Sequence, residues 1–251
     1  MQLGVTAMSR PGGRPANEDA CGFLSRDDIC FCVVADGAGG HQGGAAASKI
    51  VVSRVLTWLR DNASCEPEAL RYAILAANHA VLVEQRRDAK LADMRSTVIV
   101  LAIDTQRRRA VWGHMGDSRL YAFRGGTLLR RTSDHSLAQQ LIDTGYVSAE
   151  ELRGSFQRAR LYAALGEVDP PPPTVIEAAL EVQEGDAFLL CTDGWWDSLE
   201  AGAMELVLAQ ASSADDWLRA MEREIIERHR PGQDNYTALA VWCTSGESGS
   251  P

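Results

Sequence analysis

With 251 residues, 45% of them hydrophobic, the chain is long enough to bury a sizeable core as one domain, and no Pro/Gly/Ser-rich linker or repeat divides it. Its formal charge of −9 leaves it without the basic face that a nucleic-acid or anionic-membrane partner requires; ordinary solubility accounts for the acidity. No apolar run approaches the roughly 18 residues of a membrane span, and residues 1–10 lack the basic start and apolar stretch of a signal peptide, so a cytoplasmic protein with reduced cysteines is expected.

In chain order, strands are expected over residues 4–9, 20–25 and 29–35. Two long helical patterns follow. Val51, Val52, Val55, Leu56 and Leu59 make one apolar stripe, and Leu70, Ile74, Ala77 and Val81 a second. Strands resume over 97–103, 109–114, 120–124 and 127–129, spaced closely enough for an antiparallel meander, and a helix is expected over 136–144. Pro170 to Pro173 read as a rigid extended connector ahead of strands over 174–182 and 187–191. Helices are expected over 201–210 and from Ser213 onward, where Ser213 and Asp216 form a capping pair, before a last strand over 236–241. Strands in two groups, with helices between and after them, predict an α+β fold of packed antiparallel sheets. Cys30 and Cys32, two apart, share one strand face.

Acidic residues gather at the mouths of the apolar runs. Asp36 and Gly37 close the run Ile29 to Ala35, with Ala38, Gly39, Gly40 and His41 behind them. Asn17, Glu18 and Asp19 stand just upstream, Gly116, Asp117, Ser118 and Arg119 follow a strand, Asp193 and Gly194 close the run Ala187 to Cys191, and Asp234 and Asn235 precede the last strand. A single Asp-Gly is an ordinary turn dipeptide. If the strands are neighbours, however, these acids converge, and a cluster of ionised carboxylates calls for divalent cations that favour oxygen ligands, Mg²⁺ or Mn²⁺. The five His are scattered and no C-x-x-C occurs, which argues against zinc.

These residues resemble the metal-dependent PP2C (PPM) protein serine/threonine phosphatases in their compact bacterial form. Arg14 to Asp19 is similar to R-x-x-N-E-D, Val33 to His41 to V-x-D-G-x-G-G-H, Ser96 and Thr97 to the S-T of a core strand, and Gly116 to Arg119 to G-D-S-R. Asp134, His135 and Ser136 match D-H-S, Leu189 to Gly194 match L-L-x-[ST]-D-G, and Asp234 with Asn235 the closing D-N. The motifs keep the family's order over nearly the whole chain. The resemblance implies an αββα sandwich of two antiparallel β-sheets flanked by helices, a phosphatase domain over residues 1–243 with a flap at about 145–160, and a solvated tail over 244–251.

It also implies a reaction. Phosphate monoesters hydrolyse extremely slowly unaided, and two metal ions about 4 Å apart would both activate a water and offset charge on the phosphoryl group. By resemblance, Asp36 would bridge the metals, the Gly37 carbonyl would serve the first, and Asp193 and Asp234 the second. Glu18 and Asp19 would hold metal-bound waters, and Asp117 with Asp193 a weaker third ion. Arg14 would bind the substrate phosphate through its planar fork. Ala38 departs from animal members, which carry a His there as candidate general acid; this leaves His41, a metal-bound water or no dedicated acid as alternatives. His135 is expected to be a structural hydrogen-bonding residue. Arg153, Arg158 and Arg160 give the flap positive charge, although the usual flap His-Pro is absent. The implied partners are phosphoproteins, the substrates of a cognate Ser/Thr kinase, with no nucleic acid or membrane and a monomeric chain. Two other readings are a catalytically silent phosphoprotein-binding module and a metal-dependent hydrolase of other phosphoesters.

Overall fold

The structure, a computed structural model, describes residues 1–148, 151, 160–228 and 232–245, without the side chain of His41. Its strands are β1 (Gln2–Arg10), β2 (Ala20–Arg26), β3 (Ile29–Ala35), β4 (Gly37–Ala38), β5 (Arg95–Ser96), β6 (Val98–Asp104), β7 (Arg109–Met115), β8 (Arg119–Arg124), β9 (Thr127–Arg131), β10 (Thr174–Val175), β11 (Leu180–Glu181), β12 (Ala187–Cys191) and β13 (Tyr236–Thr244). Its helices are α1 (Gly40–Asp61), α2 (Pro67–Arg87), α3 (Leu137–Asp143), α4 (Asp193–Trp196), α5 (Ala201–Leu208) and α6 (Ala214–Glu227).

One sheet runs β1-β13-β12-β8-β9 and the other β10-β7-β6-β3-β2, with β11 also on β7; every pairing is antiparallel. The inner strands are apolar at almost every position because both of their faces are covered. Along β3, Phe31, Val33 and Ala35 pack under α1 and α2, while Cys30, Cys32 and Val34 point into the space between the sheets. β12 alternates in the same way: Leu189 and Cys191 face Trp195 and Trp217 of the opposite helical layer, and Phe188 and Leu190 face the other sheet. Three apolar layers therefore separate four layers of secondary structure, the αββα sandwich. The Cys30 and Cys32 sulfurs lie 3.9 Å apart within the middle layer.

Two local expectations are corrected. The run of strands from 97 to 129 is not one meander. β6 and β7 belong to one sheet and β8 and β9 to the other, and the chain crosses between sheets at Gly116 to Ser118. Gly116 takes φ 102°, left-handed backbone that glycine tolerates best, and Thr97 and Ser118 join their hydroxyls at 2.7 Å across the crossing. The single strand expected over 174–182 is two short ones, β10 and β11, both on the edge of β7.

Candidate metal centre

The acids converge because the strand ends that carry them meet at one rim. Asp36 follows the last residue of β3, and its backbone is pinned on both sides: its N–H donates to the Thr97 hydroxyl at 2.9 Å, and its carbonyl accepts from the Thr97 N–H at 2.8 Å and the Ser96 hydroxyl at 3.0 Å. Gly37 has to be glycine, because a Cβ there would collide with the Gly44 carbonyl in the first turns of α1. Gly44 in turn makes room for the Glu18 carboxylate. Asp193 opens the short α4 directly after β12.

Asn235 ties the entering and closing segments together. Its side-chain oxygen accepts the Glu18 N–H at 2.8 Å, and its amide donates to the Pro11 and Ala16 carbonyls at 2.9 Å each. Arg14, Glu18, Asp36, Gly37, Asp117, Asp193 and Asp234 all line one cleft of about 590 Å³, and Asp19 is buried behind them with one oxygen accepting from the Thr192 hydroxyl at 2.9 Å. Every candidate residue named from the sequence is thus brought to this site except His41, whose side chain lies outside the described residues.

The site is electrostatically unsatisfied. Burial, then the charges of Asp193, Asp19 and Asp117, holds the Asp36 carboxyl well above the ordinary carboxylate range. Burial and the nearby Asp193 do the same to Asp117. Burial pushes Asp19 up to about 7, and burial with the charge of Asp234 pushes Asp193 up to about 6. As they stand, no three described His, Cys, Asp or Glu side chains are arranged to hold an ion. Two further features suit hard cations. One oxygen each of Asp19 and Asp193 is buried without a hydrogen-bond partner, and the donors are all oxygens.

Arg14 is already engaged: its Nη2 donates to Asp234 at 2.9 Å, and both side chains are about half exposed. The other Asp234 oxygen accepts the Asn235 N–H at 2.9 Å. His135 is structural, as expected. Burial and the adjacent His114 push it down to about 4, so its neutral ring accepts the Gly116 N–H at Nδ1 (3.2 Å) and donates from Nε2 to the Thr174 hydroxyl (2.9 Å). Of the flap arginines, Arg153 and Arg158 lie outside the described residues, and Arg160 is exposed.

The sequence reading missed the supports. Arg119 forms a two-pronged ion pair with Asp134 (2.7 and 2.6 Å), lies 3.5 Å over the Trp196 ring, and Trp196 donates its indole N–H to the Asp117 carbonyl at 3.0 Å. The G-D-S-R and D-H-S motifs contained two of these residues. Nothing in the sequence pointed to Trp196.

The arrangement agrees with comparison to known proteins. The profile of a family described as protein phosphatase 2C matches residues 12–231. The serine/threonine phosphatase stp of Listeria welshimeri is 30% identical over 242 residues, spanning 91% of this chain and 90% of that protein. Among solved structures, the serine/threonine phosphatase PstP/Ppp of Mycobacterium tuberculosis aligns with a TM-score of 0.84 and 28% identity, over 97% of this chain and 99% of that one. The catalytic domain of PstP in complex with two manganese ions aligns with a TM-score of 0.82 and 27% identity, over 97% and 99%. With its motifs in order, its acids at one rim of an αββα sandwich and a family match over most of its length, this chain belongs to the protein phosphatase 2C family.

Proposed function

We propose that the chain is a metal-dependent protein serine/threonine phosphatase that hydrolyses phosphoserine and phosphothreonine monoesters. The observation that carries this is the cleft that gathers Asp36, Asp117, Asp193 and Asp234, with Asp19 behind it, where mutual repulsion and two orphaned oxygens call for cations. Asp36, the Gly37 carbonyl, Asp193 and Asp234 would hold two Mn²⁺ or Mg²⁺ ions, Glu18 and Asp19 would support them from behind, and Asp117 would complete a weaker third site. Bound there, the ions supply positive charge for the phosphoryl group and acidify a water to make the nucleophile.

The chain's own residues do the rest. Arg14, at the cleft mouth, orients the substrate phosphate through its guanidinium fork once it is released from Asp234. The Thr97 and Ser96 bonds to the Asp36 backbone fix that carboxylate, and Asn235 fixes the segment carrying Arg14 and Glu18, so that the site is rigid before substrate arrives. The phosphatase domain spans 1–243, acts as a monomer in the cytoplasm, and opposes a Ser/Thr kinase. No helix among the described residues is long and apolar enough to cross a membrane.

The test is phosphate release from a phosphothreonine peptide by chelator-stripped protein titrated with Mn²⁺ and Mg²⁺, alongside calorimetric metal binding. Activity should appear only with metal. Since even outer supports of metal sites are worth about 10- to 100-fold, Asp193→Asn should lose more than about a hundredfold in activity and weaken metal binding. Phosphopeptide binding without turnover, or preference for a phosphodiester, would sink the reading.

A further inference from the structure

A second cavity, of about 370 Å³, lies at the side of the sandwich and is lined from the edge strand of each sheet, by Arg130 and Arg131 of β9 and by Thr174 and Val175 of β10. Its inner wall is aromatic: Trp112 and the imidazoles of His114 and His135, which stack at 4.5 Å, with Tyr162 beside His135 at 5.5 Å. That volume is in the range of small-ligand pockets.

The two arginines are unusual in their placement. Arg130 pairs with Ala122 in the β8–β9 register, and Ala122 belongs to the core between the sheets, so Arg130 stands on the inward face of an edge strand. Arg131 follows in register opposite Tyr121, the bulge falling before Arg130, at Leu129, and both arginines line the cavity. Both arginines are exposed, and among the described residues neither has a hydrogen-bond or ion-pair partner. Of the acids at this cavity, Asp134 is neutralised by Arg119, while Asp143, one oxygen of which accepts from the Gln139 amide at 2.7 Å, keeps its charge, so the lining sets two unpaired arginines against one unpaired carboxylate. On a chain of net charge −9, this is a local reversal of sign.

The cavity and the acidic cleft have no lining residue in common, but residues adjacent along the chain line one and the other. Leu161 and Ala164 line the cleft while Tyr162, between them, lines the second cavity. Asp117 lines the cleft, while the neighbouring Gly116 N–H is held by His135 of the second cavity.

We propose that this cavity is an accessory anion site, which takes a second phosphate or a carboxylate of the same protein substrate whose phosphate occupies the cleft. Unpaired guanidinium forks suit both anions, and the aromatic wall suits the apolar stem that carries them. The inference rests on the phosphatase reading and names a substrate class for it: segments with additional negative charge close to the residue being dephosphorylated. The competing account of Arg130 is purely structural, since inward charge on an edge strand also discourages association with another sheet.

The experiment compares kcat and KM of the Mn²⁺-loaded protein and its Arg130→Ala/Arg131→Ala variant on four substrates. These are p-nitrophenyl phosphate, a phosphothreonine peptide with neutral flanks, the same peptide with flanking glutamates, and the same peptide with a second phosphothreonine. In the variant, KM should rise about tenfold for the two anionic peptides, the loss of one charge-assisted contact, and stay unchanged for the other two. Arg130→Lys/Arg131→Lys should recover part of the difference, and high salt should erase the native preference. A larger effect on the doubly phosphorylated peptide would name phosphate as the occupant, and on the glutamate peptide carboxylate. Equal KM values for all peptides in the native protein, or a variant that differs only in self-association, would overturn the accessory site while p-nitrophenyl phosphate turnover leaves the phosphatase reading standing. Absence of turnover on every substrate by the native protein would overturn both.

Discussion

Arg119 shows how much of the site depends on a residue that never enters the cleft. Its guanidinium holds both oxygens of Asp134, donates to the Tyr121 hydroxyl at 3.1 Å and covers the Trp196 ring, and Trp196 carries the contact on to the backbone of Asp117. The ion pair is buried on both sides, so removing one partner strands a charge. Arg119→Met should therefore destabilise the fold by about 3–5 kcal/mol in urea denaturation. Arg119→Lys keeps the charge but loses the fork, and should cost less while still weakening metal binding through Asp117. Denaturation midpoints equal to the native protein's in both variants would show the pair to be dispensable. The sequence placed Arg119 within G-D-S-R and Asp134 within D-H-S without connecting them, because a separation of fifteen positions says nothing of which side chains meet.

At the scale of elements, signals confined to one element were legible, and signals that depend on pairing were not. α6 begins where its sequence says it should. Ser213 caps it by accepting the Asp216 N–H at 3.1 Å, although the Asp216 carboxylate accepts the Ser212 N–H at 3.0 Å, one residue earlier than a capping box requires. Behind the cap, Trp217, Met221 and Ile225 are buried against the helix-covered sheet. Replacing Ser213 by Ala should cost about 1 kcal/mol, read as a lowered denaturation midpoint without change in metal affinity. An unchanged midpoint would mean that packing alone sets the start of the helix. The split of β6–β7 from β8–β9 was illegible for the opposite reason: apolar runs separated by short turns look alike whether the next strand joins the same sheet or the facing one, and only the crossing at Gly116 decides.

For the molecule as a whole, the acidic rim is a reservoir of strain that cations or protons must relieve. Folding without metal lifts Asp19 to about 7 and Asp193 to about 6, so the folded state holds protons that the unfolded chain releases near its ordinary carboxylate pKa. The stability these protons supply is complete below the unfolded value and is lost as pH rises through the folded one. Chelator-stripped protein should thus melt at progressively lower temperature as pH rises from about 5 to about 8. Saturating Mn²⁺ should flatten or reverse that trend, because the cations replace the protons and bind only the folded state. Melting curves in chelator that are insensitive to pH over this interval would show that the carboxylates are not mutually strained.

What the sequence alone determined is the inventory and its order. Apolar runs long enough to be buried on both faces, helical stripes of fixed period, and acids at strand mouths are local facts written in consecutive residues; they sufficed for packed antiparallel sheets with helices and for an acidic rim, while the family resemblance of the motifs supplied the four-layer arrangement and singled out Asp36, Asp193 and Asp234. What the tertiary structure decided is everything that depends on distance between remote residues. It put β13 between β1 and β12, bringing Asp234 to the cleft opposite Arg14, and it made Asn235 the clasp of residues 11–18. It also set Trp196 under Arg119 and left Arg130 on the inner face of an edge. The physical reason is one of range: backbone preference and side-chain periodicity act over a few residues, whereas charge, burial and hydrogen bonding act through space, and only the folded chain specifies that space.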